Sequence, residues 1–244
     1  TRIDKQILSR VSGLKMAFGE NPKRVYGKKN LSPQTRMSIM ALARQAFQDA
    51  LFYKTQRDKG LVGYDLGKEN LLLALERKIP VRLHAHRADD LLQALALRDE
   101  FDLEMVLEHC TDAKKIAKVL KEKGATCAIG PAFVNRAKVE MENVSYDLGK
   151  TLHEEGVVFS ILTDHPVNPI SYLSICVGMY IRHGLERTEA LKAVTLNAAK
   201  ILKLEKRLGS IEIGKDADLV VWSDEPFTMN AQSELVCLDG RRYK

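Results

Sequence analysis

The sequence has 244 residues, 45% of them hydrophobic and 29% charged, with a formal net charge of +6. That composition belongs to a globular chain, with room for one large domain or for one domain and a small appendage, and it excludes a disordered or fibrous one. No run nears the roughly 18 consecutive apolar residues of a membrane helix, and the densest basic cluster, NPKRVYGKKN at 21–30, holds one aromatic residue, too little for a nucleic-acid footprint.

In chain order, TRIDKQILSR at 1–10 has no apolar signal core, and Thr1 in place of Met reads as a processed or truncated start. GLKMAFGENP (13–22) predicts a strand ending at Gly19-Glu20. SPQTRMSIMALARQAFQDALFYKTQR (32–57) predicts a long helix, with Ser32 and Pro33 as its start. From residue 61 helical and strand-like stretches alternate. ENLLLALERK leads into IPVRLHAH, DDLLQALALRDEF into LEMVLEHC, DAKKIAKVLKEKG into TCAIGPAF, and YDLGKTLHEEG into VVFSILTDHP. The strands are apolar on both faces, the mark of parallel strands covered on both sides. SYLSICVGMYIRHG and ERTEALKAVTLNAAKILKL predict further helices. The tail changes character: GSIEIGKDADLVVW reads as strand, turn and strand, and ELVCLDGRRYK as a short strand with an Asp-Gly turn.

Four successive β–α units mean a (β/α) barrel or a doubly wound sheet. No glycine-rich phosphate turn follows any strand, which counts against a dinucleotide fold. The strand ends instead carry His84, His86, His109 and Asp164, and chemistry at the C-terminal ends of several strands is the barrel arrangement. His84 and His86 share one face of the chain because side chains alternate along a strand. Alone, the pair is either a chelate or two polar residues at a strand end. Likewise His109 alone reads as a core histidine, Asp164 as a helix cap, Glu20 as a solvated loop residue, and His153 and His183 as surface histidines. The joint pattern at successive strand ends outweighs these readings. The candidate ligands are Glu20, His84 or His86, His109 and Asp164, imidazoles and carboxylates that suit zinc and similar ions. Such an ion activates a water, and an aspartate beside it can carry the proton. Cys110, Cys127, Cys176 and Cys237 form no C-x-x-C, so a reduced, cytoplasmic protein is expected.

The run VRLHAH…VLEHC…TDHP…LNAAKILKLEKRLGSIEIGKDADLVVW resembles the metal-dependent amidohydrolase superfamily, in its imidazolonepropionase-like branch, over nearly the whole chain. GSIEIGKDADLVVW is its most specific part. The resemblance implies a TIM-like barrel over 1–205 and part of a small β-sandwich over 206–244. It makes His84 the ligand of barrel strand 5, His109 that of strand 6 and Asp164 that of strand 8. Glu20 becomes the strand 4 bridge, with Lys15, as a carboxylated lysine, competing. His86, Arg87 and His165 become contacts to the ligands or to substrate. One or two divalent ions, zinc above all, are implied. Asp164 would act as general base and then acid, and His109 would bind metal or polarise a carbonyl. The reaction implied is hydrolysis of a C–N bond in a linear or cyclic small-molecule amide. The alternatives are an iminohydrolase (deaminase) on the same scaffold, or a non-catalytic scaffold protein, because the family's strand 1 His-x-His is absent. On this count the chain holds barrel strands 4 to 8, an incomplete barrel that needs an N-terminal segment or a second copy to cover it.

Overall fold

The structure, a computed structural model, describes residues 7–136 and 138–243. The reading of TRIDKQILSR therefore falls mostly outside the described residues. The elements run β1 (Leu14–Ala17), α1 (Glu20–Gly27), α2 (Arg36–Asp58), α3 (Leu66–Leu75), β2 (Val81–Ala85), α4 (Ala88–Glu100), β3 (Met105–His109), α5 (Ala117–Glu122), β4 (Thr126–Ile129), α6 (Leu148–Glu154) and β5 (Val158–Ile161). Then come α7 (Leu173–Arg182), α8 (Arg187–Val194), α9 (Leu196–Ile201), β6 (Leu219–Trp222), β7 (Ser233–Leu238) and β8 (Arg241–Arg242). β1 to β5 form one sheet in chain order, and β6 to β8 a second. Order without crossover, with helices between parallel strands, follows from the right-handed β–α–β connection. Every residue of β3 is buried, as are all but the first of β4 and β5, so the apolar-on-both-faces reading holds for these strands. Two compact units divide the chain, Thr1–Leu107 and Glu108–Lys244.

In the first unit, β1 pairs parallel to β2, with Leu14 opposite Val81 and Ala17 opposite His84. α2 begins at Arg36, four residues beyond Ser32. Thr35 is its N-cap: its hydroxyl accepts from Ser38 N, and the Ser38 hydroxyl accepts from Thr35 N, a reciprocal capping box. Pro33 lies before the helix because this box satisfies two end donors that Ser32 would leave open. α3 is capped by Asp65, whose carboxylate accepts from Lys68 N. Tyr53 of α2 packs with Ala50 and Leu72, and Glu69 of α3 accepts from both the Tyr53 hydroxyl (2.8 Å) and Arg57 Nη1 (2.6 Å).

In the second unit, β4 pairs parallel to β5, Thr126 opposite Val158 and Ile129 opposite Ile161. The stretch read as one helix over 186–204 is broken at Thr195 (φ −124°, ψ −93°), which ends α8 and precedes α9. The break turns Asn197 toward β5, where its Nδ2 donates to Phe159 O at 3.0 Å. The second sheet is antiparallel, and the Asp-Gly turn lies where expected: Asp239 (φ 50°) and Gly240 (φ 71°) join β7 to β8 in two residues, the left-handed pair a tight hairpin requires. Residues 210–213 do not form a strand. Ile211 and Ile213 are exposed, and no strand among the described residues takes up the backbone groups there.

Candidate functional site

The ends of β2 to β5 carry most of the residues singled out in the sequence. At the end of β2, His84 and His86 are both buried, at 8% and 4% exposure. Their rings lie 4.8 Å apart, edge to face, and their ligand atoms are within 4.8 Å of one another. Two adjacent buried imidazoles at this spacing can share one ion. Asn21 Nδ2 lies 2.9 Å from His84 Nε2. Asn21 was not singled out in the sequence; it follows Glu20, which starts α1 after Gly19 (φ 83°) and is half-buried in its first turn. Lys15 sits in the middle of β1 with its side chain exposed.

Arg87 follows the histidine pair as the residue before α4. Its Nε and Nη2 donate to the two carboxylate oxygens of Asp89, both at 2.9 Å, and that bonding holds the Asp89 carboxyl below the usual carboxylate range. Asp90 beside it is buried, and burial pushes its carboxyl up against the opposing hydrogen bonds from Arg36 Nε at 3.0 Å.

In the second unit, His109 ends β3 with φ 71°, followed by Cys110 at φ 56°. This left-handed pair turns the chain sharply out of the strand. His109 is buried, and its Nδ1 lies 2.8 Å from Gly130 O, the residue after β4. A carbonyl only accepts, so Nδ1 carries the proton and the lone pair of the neutral ring is on Nε2. Histidines that bind metals are oriented by such a bond to the opposite nitrogen. Gly130 has φ 123°, and a Cβ there would stand 2.3 Å from Leu162 O, so only glycine fits.

Asp164 and His165 follow β5 on a tight turn. Asp164 has φ 53°, Val167 N donates to its carbonyl at 2.8 Å, and Asn168 N donates to Thr163 O at 3.1 Å. Both side chains, that of Asp164 included, are exposed. The turn lifts the residue out of the strand, which a strand pattern cannot foretell. Asn168 is buried and clamps the neighbouring loop: Phe133 N donates to its Oδ1 at 3.0 Å, and its Nδ2 donates to Phe133 O at 2.7 Å. Glu140 is a further buried carboxylate, with a ligand atom suited to a metal, and Lys138 Nζ is 3.5 Å from it. AKVEMENV offers no signal that marks it. His153 and His183 are exposed, as read; His183 Nδ1 donates to Met179 O at 2.8 Å near the end of α7. Cys110, Cys127 and Cys176 are buried free thiols. Burial, and then the neighbouring Cys127, push the Cys110 thiol well up, so it stays protonated and unreactive.

Known proteins share this sequence and fold. A family profile described as "Amidohydrolase family" matches residues 59–243. The amidohydrolase tasK of Hapsidospora irregularis is 30% identical over an alignment taking in 93% of this chain and 25% of that protein. The imidazolonepropionase of Sphingopyxis alaskensis is 31% identical, over 62% of this chain and 37% of that protein. A crystal structure of an amidohydrolase from Thermotoga maritima is 40% identical with a TM-score of 0.96, covering 100% of this chain and 65% of that one. The chain thus spans from a quarter to just under two thirds of the length of these relatives. Among the described residues, no helix is long and apolar enough to cross a membrane. With the profile matched over well more than half of its residues, the chain belongs to the amidohydrolase family.

Proposed function

We propose that residues 1–205 form barrel and residues 206–244 form β-sandwich in a metal-dependent hydrolase that breaks the C–N bond of a small-molecule amide. The observation that carries this reading is the buried His84–His86 pair at the end of a parallel strand, its ligand atoms close enough to share an ion. The donor set fits zinc: neutral imidazoles with a carboxylate oxygen are borderline ligands for a borderline ion. His84 and His86 would hold it, with His109, through Nε2, as the further imidazole and Glu20 as the carboxylate that the resemblance implies, Lys15 competing. Bound there, a divalent ion supplies Lewis acidity and an activated water.

The remaining work falls to the side chains. Asp164 takes a proton from the attacking water and returns it to the leaving nitrogen, for which an exposed carboxylate on a rigid turn is suited. The Nδ1–H tautomer of His109 favours ligation over carbonyl polarisation, because a lone pair on Nε2 cannot donate to a carbonyl. Arg87 and His165 would contact substrate. Arg87 is already oriented by Asp89, and His165 Nδ1 accepts from Ile170 N at 3.3 Å.

Zinc titration by calorimetry, together with hydrolysis of an amide panel, tests this. The wild-type protein should bind zinc, and a chelator should abolish hydrolysis. His84→Ala and His86→Ala should each weaken zinc binding by at least about 10–100-fold, the loss seen when even an outer partner is removed. Unchanged zinc affinity in both variants would sink the histidine pair as ligands.

A further inference from the structure

Asn168 has a role that the chemistry above does not call for. It is buried, and its backbone and side chain bind two different loops. Its N–H donates to Thr163 O and, with Val167 N on Asp164 O, closes the turn that bears Asp164. Its side-chain amide meets both backbone groups of Phe133 at 3.0 and 2.7 Å. It thus mimics one rung of a β-ladder between two loops that have no ladder. Cys176 of α7 lies behind it, Sγ at 3.9 Å from Oδ1. Only a side chain with a donor and an acceptor at amide spacing can make both bonds. Aspartate would face Phe133 O with a second acceptor, and an aliphatic chain would leave both groups unmet.

Between Phe133 and Gly130 stand only Pro131 and Ala132, both buried. Proline fixes its own φ, so this short segment has little slack. Its first residue supplies the carbonyl that accepts from His109 Nδ1 at 2.8 Å. We propose that Asn168 is a positioning residue: by clamping Phe133 it holds the 130–133 segment, and so aims the Gly130 carbonyl that keeps the His109 ring in its Nδ1–H tautomer. One side chain then sets the loops after both β4 and β5, and a displacement of either reaches the other. The proposal rests on the hydrolytic reading only for its consequence, since a ring held this way presents Nε2 to a ligand.

The test uses ¹⁵N ring spectra of His109 in the full chain, before and after zinc is added, above the histidine range so that imidazoles are neutral. Before zinc, the wild type should show one Nδ1–H tautomer, and Asn168→Ala a mixture containing Nε2–H. The Phe133 amide should exchange at least ~10-fold faster in the variant, as a released loop does. Asn168→Asp keeps the bond from Phe133 N but repels Phe133 O, and should give the same mixing should the alanine variant fail to fold. Leu120→Ala, a cavity under α5, an element that supplies no group to the clamp, should weaken the fold and leave the tautomer unmixed. The proposal is overturned by a mixed tautomer in the wild type, by a pure Nδ1–H ring in a folded Asn168 variant, or by equal mixing in Leu120→Ala. A wild-type spectrum unmoved by zinc counts against the hydrolytic reading and leaves the clamp as measured.

Discussion

Asp164→Asn should lower turnover per bound zinc by about 10²–10⁴-fold, the usual contribution of a general acid–base group, while leaving the fold and metal content nearly unchanged. The substitution isolates the proton. Asparagine matches aspartate in shape and is, with it, among the few residues that tolerate the left-handed φ of 53° found there. The turn is closed through backbone groups, by Val167 N on Asp164 O and Asn168 N on Thr163 O, so the exchange of side chain costs no hydrogen bond there. The measurement is kcat on any amide that the protein hydrolyses, with zinc content and melting temperature followed in the same preparations. Turnover near that of the wild type would remove Asp164 from the mechanism.

Gly130→Ala should cost about 3 kcal/mol or more of stability, because backbone strain and overpacking each contribute on the order of 1–3 kcal/mol. The new Cβ would sit 2.3 Å from a backbone oxygen, Leu162 O, which cannot swing aside as a flexible side chain can, and φ is 123°. Gly124→Ala is the matched comparison. Its φ is 58° but nothing lies within 4 Å of a Cβ there, so only the left-handed penalty of roughly 1–2 kcal/mol applies. Urea unfolding of both variants reads the difference, and equal costs would show that the contact with Leu162 relaxes freely. Because Gly130 O holds His109, the first variant should also weaken zinc binding where the second does not.

Much of this architecture is legible in the sequence because burial on both faces leaves a plain mark. VRLHA, MVLEH, TCAI and VFSI are short apolar runs between helical stretches, and each is a strand. The polar residues that interrupt such runs at their ends stand out against them, which is why reading singles out His84, His86, His109 and Asp164 as candidates. What escaped reading depends on partners distant in the chain. Ser32 and Thr35 are equally good caps in isolation, and only the bond to Ser38 separates them. SIEI alternates like a strand, but alternation fixes which face is apolar and not whether a neighbour supplies hydrogen bonds. Glu140 and Asn168 are invisible for a related reason. A buried carboxylate or amide looks like any surface residue until its surroundings are known, and neither occupies a strand end. Asn21 lies beside a residue that was singled out, but its bond to His84 joins positions 63 residues apart.

The pairing of Leu14 with Val81 has a kinetic meaning as well. Two strands so far apart in the chain must close a long loop before any ladder bond forms, and that entropy is lost ahead of the gain. The helices in between shorten the task. α2 and α3 are neighbours in sequence, carry their own caps, and meet through Tyr53, Glu69 and Arg57. This hairpin can assemble from local contacts and bring the ends of its loop near each other, so that β1 and β2 meet late and quickly. Folding rates should therefore fall for Tyr53→Phe, while Met16→Ala in β1 should chiefly speed unfolding, as expected of contacts made before and after the transition state. The reverse pattern in stopped-flow measurements would mean that the strands find each other first.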